Sequence, residues 1–535
     1  MYSVAVSLRY YFAVILAFGA IALLVYGASL GNEFIAFDDD TLVYDNPAIQ
    51  ELSLSSVAWI FTHFDPELYI PLTSFSYQID HAIAGMNPTQ FSVHNLLLHI
   101  LNAVLVVAIL SRMTVQRKWS LFAGLLFLIH PLHTEAVVWI ASRKDLLSTF
   151  FFLLSVGTYL LFVGQPKRQR FLWYGLSVLA FGLGLLSKVS IVLLPLVLLL
   201  IDYWNKRSLS RRLVFDKIPF FCLSAIFGCV AVLGKEDVLG DSSFIQGVLM
   251  AARSTAFYLQ KFFVPTSLSL VYPHLGPVTL LDMHFAVSVL VIIALSIAVT
   301  VARSRKIWAA VGIGFCTIFP SFFNYAKGGD LYFASDRYAY LPSVALLLIL
   351  VFLLQRIRLD RRVTITCAVI IALFSYTAHR QSLHWKNTNT LFSHVIDLYE
   401  ETYFAHTKVA TYLINEGDHE TARSHLERSL AIKPTGRAYY NLGILALKEE
   451  QNDAALGFFE QAVEVHEGLP YAHMNLGYLY YLRGDMELAI QNAEQAVLLA
   501  PEDQDIAQNL AGIYKAAGRI EDAERIFDRI RIEGR

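Results

Sequence analysis

Cysteine and charge are both scarce in this sequence, and each scarcity excludes a class of protein. The 535 residues include only four cysteines, all inside apolar runs, so they predict neither a disulfide framework nor a metal-binding spacing. The formal net charge of -2 provides no basic face for nucleic acid. Charged residues make up 16% of the chain and hydrophobic residues 56%, so a polytopic membrane protein is indicated.

Apolar runs of about 20 residues, the length that crosses a bilayer as a helix, recur up to about His379. The first run has no small-x-small cleavage pattern before Ser29, so it is interpreted as a retained helix rather than a signal peptide. The predicted crossings are the eleven segments 11–30, 92–111, 119–137, 145–164, 171–187, 189–203, 217–234, 279–302, 307–326, 338–355 and 362–379.

The loop 31–91 contains many acids and no Lys or Arg, whereas the alternate loops are basic. The positive-inside rule therefore predicts a cytoplasmic N-terminus and an outer acidic loop. An odd number of crossings then also delivers the C-terminal region to the outer side. The apolar segment 246–264 is interpreted as an interfacial amphipathic helix, because Arg253, Gln260 and Lys261 interrupt it.

The C-terminal region repeats with a period of 34 residues. Asn441-Leu442-Gly443 recurs at Asn475, and again at Asn509 with Ala for the Gly. An earlier copy is weaker, with Ala422 one residue out of step. The period and helix-turn-helix pattern resemble tetratricopeptide repeats, which stack into a curved array suited to an extended peptide. A folding cap or a dimerisation module is the alternative interpretation.

The stretch "AFDDDTLVYD" places Asp38, Asp39 and Asp40 just beyond the first crossing. Partial desolvation at the membrane surface raises a carboxylate's proton affinity toward that of a general base. A solvated juxtamembrane cluster is the alternative. An Asp-x-Asp metal site for a nucleotide-sugar is disfavoured, because nucleotide-activated donors are cytoplasmic and this loop is predicted to be outside.

A second ionisable cluster lies in "HPLHTEAVVWIASRKD", at the predicted outer ends of two helices. Charged groups near a membrane are energetically unfavourable, so their clustering favours a functional site. A zinc site at the two histidines is one possibility, although Pro131 disrupts the local helix. Anion binding by Arg143 and Lys144 is favoured. The ionisable members are His130, His133, Glu135, Arg143, Lys144 and Asp145.

Three further outer cations, Lys188, Lys261 and Arg337, indicate a phosphate pocket, although a single one is more simply a snorkelling side chain. Arg337 is the strongest candidate because neighbours such as Tyr338 can orient its guanidinium. His94 and Asn95 are either walls of the site or helix-packing residues.

Taken together, these motifs carry a family resemblance. "FDDD", "PLTSFSYQIDHAIAGMNP", "HPLHTEAVVWIASRKDLLS", "LLSK", "YLQKFFVP" and "DRYAYLPS", followed by the repeats, resemble the transmembrane and tetratricopeptide-repeat O-mannosyltransferases. These belong to the GT-C glycosyltransferases, which use polyprenyl-phosphate sugars. The resemblance spans almost the whole chain.

The resemblance implies roles for individual residues. Asp38 and Asp39 match the acidic pair where the catalytic base is expected. Donor phosphate or sugar contacts are implied for His130, His133, Glu135, Arg143, Asp145, Lys188, Lys261 and Arg337, with His94, Asn95 and Tyr338 as possible walls. The chain departs from the family at Val189, where an acid usually follows the lysine, and at Asp336, where Glu is more usual.

The sequence thus predicts an all-α protein: a GT-C membrane domain over 1–380 and an α-solenoid of tetratricopeptide repeats over 381–535 on the periplasmic side of a bacterial inner membrane. We expect an inverting transfer of a hexose such as mannose from a polyprenyl phosphate to Ser or Thr of a polypeptide bound by the repeats. The alternatives are a glycan or lipid acceptor, or a non-catalytic scaffold. The sequence establishes no cofactor, a divalent metal is possible, and membrane lipid is a partner.

Overall fold

The fold is that of a computed structural model, which describes residues 2–64, 68–164, 167–208, 210–234, 244–274, 276–327 and 330–533. The chain forms two compact units, Met1–Leu391 and Phe392–Arg535. The predicted boundary at residue 380 falls inside the helix Arg361–Leu383, so the first unit extends further along the chain than the apolar runs do.

The first unit is almost entirely helical. Its helices are α1 (Tyr2–Tyr26), α2 (Leu54–Thr62), α3 (Pro71–Ala84), α4 (Pro88–Thr114), α5 (Arg117–Ile129), α6 (Thr134–Val138), α7 (Arg143–Gly164), α8 (Lys167–Ser187), α9 (Leu194–Trp204), α10 (Arg211–Phe215), α11 (Ile218–Leu233), α12 (Phe244–Phe263), α13 (Met283–Val301), α14 (Arg305–Ile318), α15 (Ser343–Leu354) and α16 (Arg361–Leu383).

Eight helical segments of the described chain are long and apolar enough to cross a membrane. They are Arg9–Gly31, Pro88–Thr114, Ile140–Gly164, Arg170–Ser187, Leu213–Leu233, Met283–Val301, Arg305–Phe323 and Arg361–Leu383. A ninth is possible if the segments Arg117–Ile129 and Pro131–Val138, which bend by 52°, form one span. The bend falls at Pro131, which cannot continue the helical hydrogen bonding.

Two of the eleven predicted crossings are shorter than a bilayer requires. Val189–Trp204 and Ser343–Leu354 are apolar helices of fewer than 18 residues. α12 is helical as expected and is not among the candidate spans of the described chain. In the most apolar stretch of each span, 56% of the residues are buried for Pro88–Thr114 and 67% for Ile140–Gly164. The corresponding share for Arg361–Leu383 is only 6%. The polar motifs at the ends of α4 and α7 therefore lie in the protein core.

A small antiparallel sheet, absent from the all-α expectation, precedes Arg337. Its strands are β1 (Tyr272–Pro273), β2 (Ala326–Lys327) and β3 (Asp330–Ala334), in the order β1-β3-β2. Tyr272 pairs with Ala334. The sheet fixes the end of β3 and hence the start of the 3-10 turn Asp336–Ala339.

The second unit contains four helix pairs. After α17 (Thr388–Leu398) these are α18 (Tyr403–Glu416) with α19 (His419–Ile432), α20 (Gly436–Lys448) with α21 (Asn452–Val465), α22 (Pro470–Arg483) with α23 (Met486–Leu499), and α24 (Gln504–Ala516) with α25 (Ile520–Glu533). A side chain at Gly443 would place a Cβ 2.5 Å from the Phe459 ring, so this copy of the repeat requires a residue without one, whereas the third copy has Ala511 at the equivalent position.

The out-of-step copy also forms a helix pair, α18 with α19. Its connection to the next pair, residues 433–435, is one residue shorter than the corresponding connections 466–469 and 500–503. The shift at Ala422 is therefore absorbed in a loop, and Ala422 is fully buried like Ala455.

Candidate functional site

The three consecutive aspartates occupy different environments. Asp39 is 1% exposed, and its Oδ2 and Oδ1 accept the backbone N–H groups of Ile35 and Ala141 at 2.8 Å each. Asp40 begins a short helical turn and accepts the N–H of Thr41. Asp39 therefore ties the acidic loop to the turn that leads into α7.

Asp38 is the more accessible acid. Its side chain is 38% exposed, and its Oδ2 lies 3.4 Å from the Lys144 ammonium. Its backbone is left-handed, with φ of 66°, a conformation that Asp tolerates better than most residues. A left-handed residue beside the anchored Asp39 turns the Asp38 carboxylate toward α7.

Two cations from separate parts of the chain line a small cavity of about 50 Å³. Lys188, Arg337 and Tyr338 line this cavity together with Asp145. The Lys188 ammonium lies 2.6 Å from Asp145 Oδ1 and 5.7 Å from the centre of the Tyr338 ring. The sequence departure at Val189 gave no reason to expect a lysine–carboxylate pair, yet α7 supplies the acid.

Arg337 is fixed by Glu135. Its Nη1 donates to Glu135 Oε1 at 2.6 Å, and its backbone N–H donates to Oε2 at 3.3 Å. Ser335 Oγ donates to the same carboxylate at 2.8 Å. The guanidinium lies over the rings of Trp139 and Tyr338, at 4.7 Å and 5.0 Å. Glu135 thus positions the cation, because its oxygens are already occupied by protein donors.

Several buried polar atoms of this region have no hydrogen-bond partner within the described part of the chain. They are Arg337 Nε, Asp145 Oδ2, Trp139 Nε1 and Trp385 Nε1. Buried polar groups are normally paired, and two of these four atoms, on Arg337 and Asp145, belong to residues that line the cavity, which is typical of a ligand site. The two tryptophan rings lie 5.8 Å apart and form one wall beneath Arg337.

Burial raises the pKa of Asp39 and of Asp336 and so favours their protonated forms. It raises the pKa of Asp39 to about 8, against the effect of its two backbone donors. Burial and the neighbouring charge of Glu135 raise the pKa of Asp336, which accepts the Tyr272 hydroxyl at 2.7 Å. Carboxylates with raised pKa values are common in active sites.

The two histidines make internal hydrogen bonds instead of lining the cavity. His130 Nδ1 accepts the Leu132 N–H, and its Nε2 lies 2.9 Å from the Phe262 carbonyl. His133 Nδ1 lies 2.8 Å from the Phe127 carbonyl and Nε2 lies 3.0 Å from Ser343 Oγ. All four ring nitrogens are occupied, and the described residues contain no group of three or more His, Cys, Asp or Glu side chains that could hold a metal.

Arg143 points away from Lys144. Its guanidinium is 1% exposed, pairs with Asp80, and donates to Asn95 Oδ1 and the Phe91 carbonyl. Asn95 in turn donates to the Trp139 carbonyl at 3.1 Å, and His94 pairs with Asp80. These residues pack α3 and α4 behind the Trp139 wall.

Lys261 lies outside the cavity lining. Its ammonium donates to the Thr266 carbonyl and lies 5.3 Å from the Phe257 ring. Burial lowers its pKa, while the charge of Asp336 raises it. Lys261 therefore holds the turn at Thr266 and does not reach the cavity.

The sequence did not single out Trp139 and Trp385. Trp139 lies inside the quoted "HPLHTEAVVWIASRKD" motif, between Glu135 and the two cations that follow it. That position was the one feature of the sequence that could have indicated a role in the site. Trp385 follows the last apolar run by a few residues, and no feature of the sequence indicated a role for it. Lys144 was considered only as a partner of Arg143, from which the fold separates it.

The comparisons with known proteins match two kinds of family along the chain. Residues 66–233 match the family described as dolichyl-phosphate-mannose-protein mannosyltransferase. Residues 408–470, 440–503 and 480–535 match tetratricopeptide-repeat families. The mannosyltransferase match does not include the acidic pair or Arg337.

Curated relatives are similar over shorter stretches. The mouse protein O-mannosyl-transferase TMTC2 is 39% identical over 92 residues, which is 17% of this chain and 11% of that protein. The human protein O-mannosyl-transferase TMTC4 is 31% identical over 177 residues, 29% of this chain and 23% of that protein. The chain therefore spans less than a quarter of the length of these relatives, and its resemblance to them is confirmed.

Solved structures match only part of the chain. The crystal structure of MamA is 18% identical, with a TM-score of 0.25, and covers 28% of this chain and 86% of its own. YrrB, described as a TPR protein with an unusual peptide-binding site, is 19% identical with a TM-score of 0.23, covering 34% and 90%. Both TM-scores are well below 0.5, so neither structure adds to the functional argument.

Proposed function

We propose that the chain is an inverting glycosyltransferase that moves a hexose such as mannose from a polyprenyl monophosphate to Ser or Thr hydroxyls of a polypeptide. The match to a mannosyltransferase family and the named relatives support the sugar and the protein acceptor. The observation that carries the proposal is the accessible Asp38 carboxylate beside Lys144, next to a cavity lined by Lys188 and Arg337.

Asp38 is the proposed general base. The acceptor hydroxyl attacks the anomeric carbon, its proton passes to the Asp38 carboxylate, and the bond between that carbon and the phosphate oxygen breaks with its electron pair leaving on the phosphate. Asp39 positions the base, because both its oxygens are engaged by backbone donors. This assigns different roles to two acids that the sequence alone did not separate.

The leaving phosphate needs no proton, so a second carboxylic acid is unnecessary, unlike in glycoside hydrolysis. Lys188, Arg337 and Lys144 stabilise the negative charge that develops on this phosphate. Their side chains are held by Asp145, Glu135 and Asp38, so little reorganisation is needed when the donor binds.

The tetratricopeptide repeats are the proposed binding region for the polypeptide acceptor. The proposed location is a bacterial inner membrane, with the N-terminus in the cytoplasm and the acidic loop outside, because that loop has no Lys or Arg.

The test is a substitution series in the acidic loop. Asp38→Asn is expected to lower transfer by about 100-fold or more, the usual effect of losing a general base. Asp45→Asn is the matched control, because Asp45 is an exposed acid of the same loop. The readout is hexose on Ser and Thr of envelope proteins, measured by mass spectrometry in a deletion strain complemented with each variant at equal abundance.

The two variants distinguish a protein glycosyltransferase from a scaffold and from an enzyme with another acceptor. Loss of protein-linked hexose with Asp38→Asn, but not with Asp45→Asn, supports the proposal. Unchanged protein glycosylation with Asp38→Asn excludes it and favours a scaffold. Loss of hexose from envelope glycan or lipid, with protein glycosylation intact, would show that the enzyme glycosylates a glycan or lipid instead of a polypeptide.

A further inference from the structure

A second and larger cavity, of about 740 Å³, lies at the other end of the α4 helix. It is formed by the connection between α4 and α5 and by the segment that follows α15. Asn95, near the start of α4, contacts Trp139 of the candidate site. Arg112 lies about 25 Å further along the same helix at 1.5 Å per residue. This cavity is therefore separate from the proposed catalytic region.

The lining of this cavity carries charge of one sign. Arg112, Arg117, Lys118 and Arg358 line it, and no Asp or Glu does. None of these four cations forms an ion pair within the described ranges of the chain. The acid nearest in sequence, Asp360, accepts the N–H of Val363 and caps α16. Four unpaired cations around one space favour an anionic ligand.

The position of Arg112 is built into the helix packing. Its Nε and Nη2 donate to the Leu160 carbonyl at 3.3 Å and 3.2 Å. A Cβ at Gly164 would lie 2.4 Å from Arg112 Nη2, so the absence of a side chain there leaves room for the guanidinium. The C-terminal end of α7 thus holds the Arg112 guanidinium in place, and the same residue lines the cavity.

The remaining lining combines strain and exposed apolar surface. Val115 is left-handed, with φ of 60°, which is unfavourable for a β-branched residue, and its side chain is 83% exposed. Ile357 and Leu359 are 46% and 44% exposed. Trp119, which is 4% exposed, also lines the cavity. Apolar side chains beside cations are expected where acyl chains meet headgroups.

We propose that this cavity binds the headgroup of an anionic membrane phospholipid, whose phosphate contacts Arg112, Arg117, Lys118 and Arg358. The acyl chains would lie along Val115, Ile357 and Leu359. The cavity is within the usual size range of ligand sites. Basic pockets between membrane helices are well suited to such headgroups, and a soluble phosphate would leave the apolar rim uncovered. This proposal does not depend on the proposed function.

The test compares two pairs of substitutions in the full-length protein. Arg117→Gln with Arg358→Gln removes two lining charges, whereas Arg303→Gln with Arg356→Gln removes two arginines of the neighbouring basic loops that do not line the cavity. Native mass spectrometry would count the lipid retained on titration with phosphatidylglycerol or with phosphatidylcholine of the same acyl chains. We expect about 30-fold weaker phosphatidylglycerol retention for the lining pair only.

Another variant, a soluble competitor and a check of folding complete the experiment. Gly164→Ala displaces Arg112 without removing a charge and is expected to weaken phosphatidylglycerol retention as well. Equal effects of the lining and control pairs, or equal retention of phosphatidylcholine, would overturn the proposal. Displacement of the lipid by millimolar inorganic phosphate would overturn it in favour of a soluble anion. Thermal unfolding of each variant in detergent checks that the fold is unchanged.

Discussion

Two clusters of charged and polar side chains in the described part of the membrane unit are built from similar residues, and they differ in how completely their atoms are paired. We define the cavity cluster as Asp38, Lys144, Asp145, Lys188 and Arg337. The closed cluster consists of Tyr159, Asp202, Arg207 and Lys217. Both rely on α7, which contributes Lys144 and Asp145 near its start and Tyr159 near its end.

The closed cluster has a partner for each of its charged groups. Asp202 Oδ1 accepts from Arg207 at 2.9 Å, and Oδ2 accepts from Tyr159 and Lys217, both at 2.7 Å. None of its polar atoms is among the unsatisfied buried atoms of the described chain. A saturated buried network offers nothing to a ligand, so its role is to hold α7, α9 and α11 together.

The cavity cluster has similar ion pairs but leaves Asp145 Oδ2 and Arg337 Nε unsatisfied beside an open space. Unsatisfied buried groups are destabilising unless a ligand or water pairs with them. Charged groups are mostly buried in both clusters, and of the two only the cavity cluster leaves such groups unpaired beside a cavity, which is the pattern expected of a ligand site. Substitutions in each cluster test this distinction.

The largest effect on stability is expected from Lys217→Met. The variant leaves Asp202, which is 2% exposed, without its ammonium partner. Arg207 and Tyr159 still donate to Asp202, so the cost is at the low end of that for a broken buried pair, about 3 kcal/mol of unfolding free energy. Thermal unfolding in detergent should show a large drop, while transfer per folded molecule stays near wild type. The double variant Asp202→Leu with Lys217→Met should recover most of the loss, and no drop in the single variant would contradict the structural role.

Lys188→Gln should show the opposite pattern. It removes a cation from the cavity lining, and we expect transfer to fall by about 100-fold, because the charge on the leaving phosphate loses a stabilising group. Its side chain is 19% exposed, so the melting temperature should change much less than for Lys217→Met. Kinetics of purified protein with labelled donor measure the first effect. A variant with normal turnover would remove Lys188 from the proposed phosphate site.

A smaller effect is expected from the pH dependence of stability. The pKa of Asp39 is raised to about 8 by burial, whereas an aspartate in the unfolded chain titrates near 4. The folded chain therefore binds more protons between these values, and the contribution of Asp39 to stability is present at low pH and lost as the pH rises through about 8.

Asp39→Asn removes this titration. The melting temperature of the wild type relative to the variant should therefore fall as the pH is raised from about 5 to about 8. Thermal unfolding in detergent at matched ionic strength measures the difference. A difference that does not vary with pH would show that Asp39 stays ionised in the folded chain.

The smallest effect is expected for an ion pair without a buried network. Arg423 Nη2 lies 2.7 Å from Glu449 Oε2, with side chains 33% and 25% exposed. Solvent screens such pairs, so Arg423→Met should change the unfolding free energy of its unit by only about 0.5 kcal/mol. Thermal unfolding provides the measurement. A loss as large as that for Lys217→Met would show that the stability contributed by an ion pair in this chain does not depend on its burial.

Much of the architecture was predictable because it depends on local patterns. Apolar runs gave the membrane helices, and the step from Asn441 to Asn475 gave the repeats. The helices that are too short to cross, Val189–Trp204 and Ser343–Leu354, were overcounted because composition alone does not fix where a helix begins. The small sheet was missed because β1 and β3 are far apart in sequence.

For the candidate site, family resemblance singled out Asp38, Asp39, Lys188 and Arg337, but it did not say which side chains meet. Lys188 pairs with Asp145 of α7, not with its own neighbour Val189. Arg143 and Lys144 are adjacent in sequence and point to different helices, because successive helical residues are rotated by about 100°. These assignments needed the packing of distant segments.

The sequence by itself determined the kind of protein, a helical membrane unit with a repeat array, because hydropathy and period act over a few residues at a time. Only the tertiary structure decided the fate of each charged group: which cluster is saturated, which leaves atoms open beside a cavity, and that Asp39 is anchored while Asp38 remains accessible. The physical reason is that burial and pairing depend on partners brought together from distant parts of the chain, and local patterns carry no record of those partners.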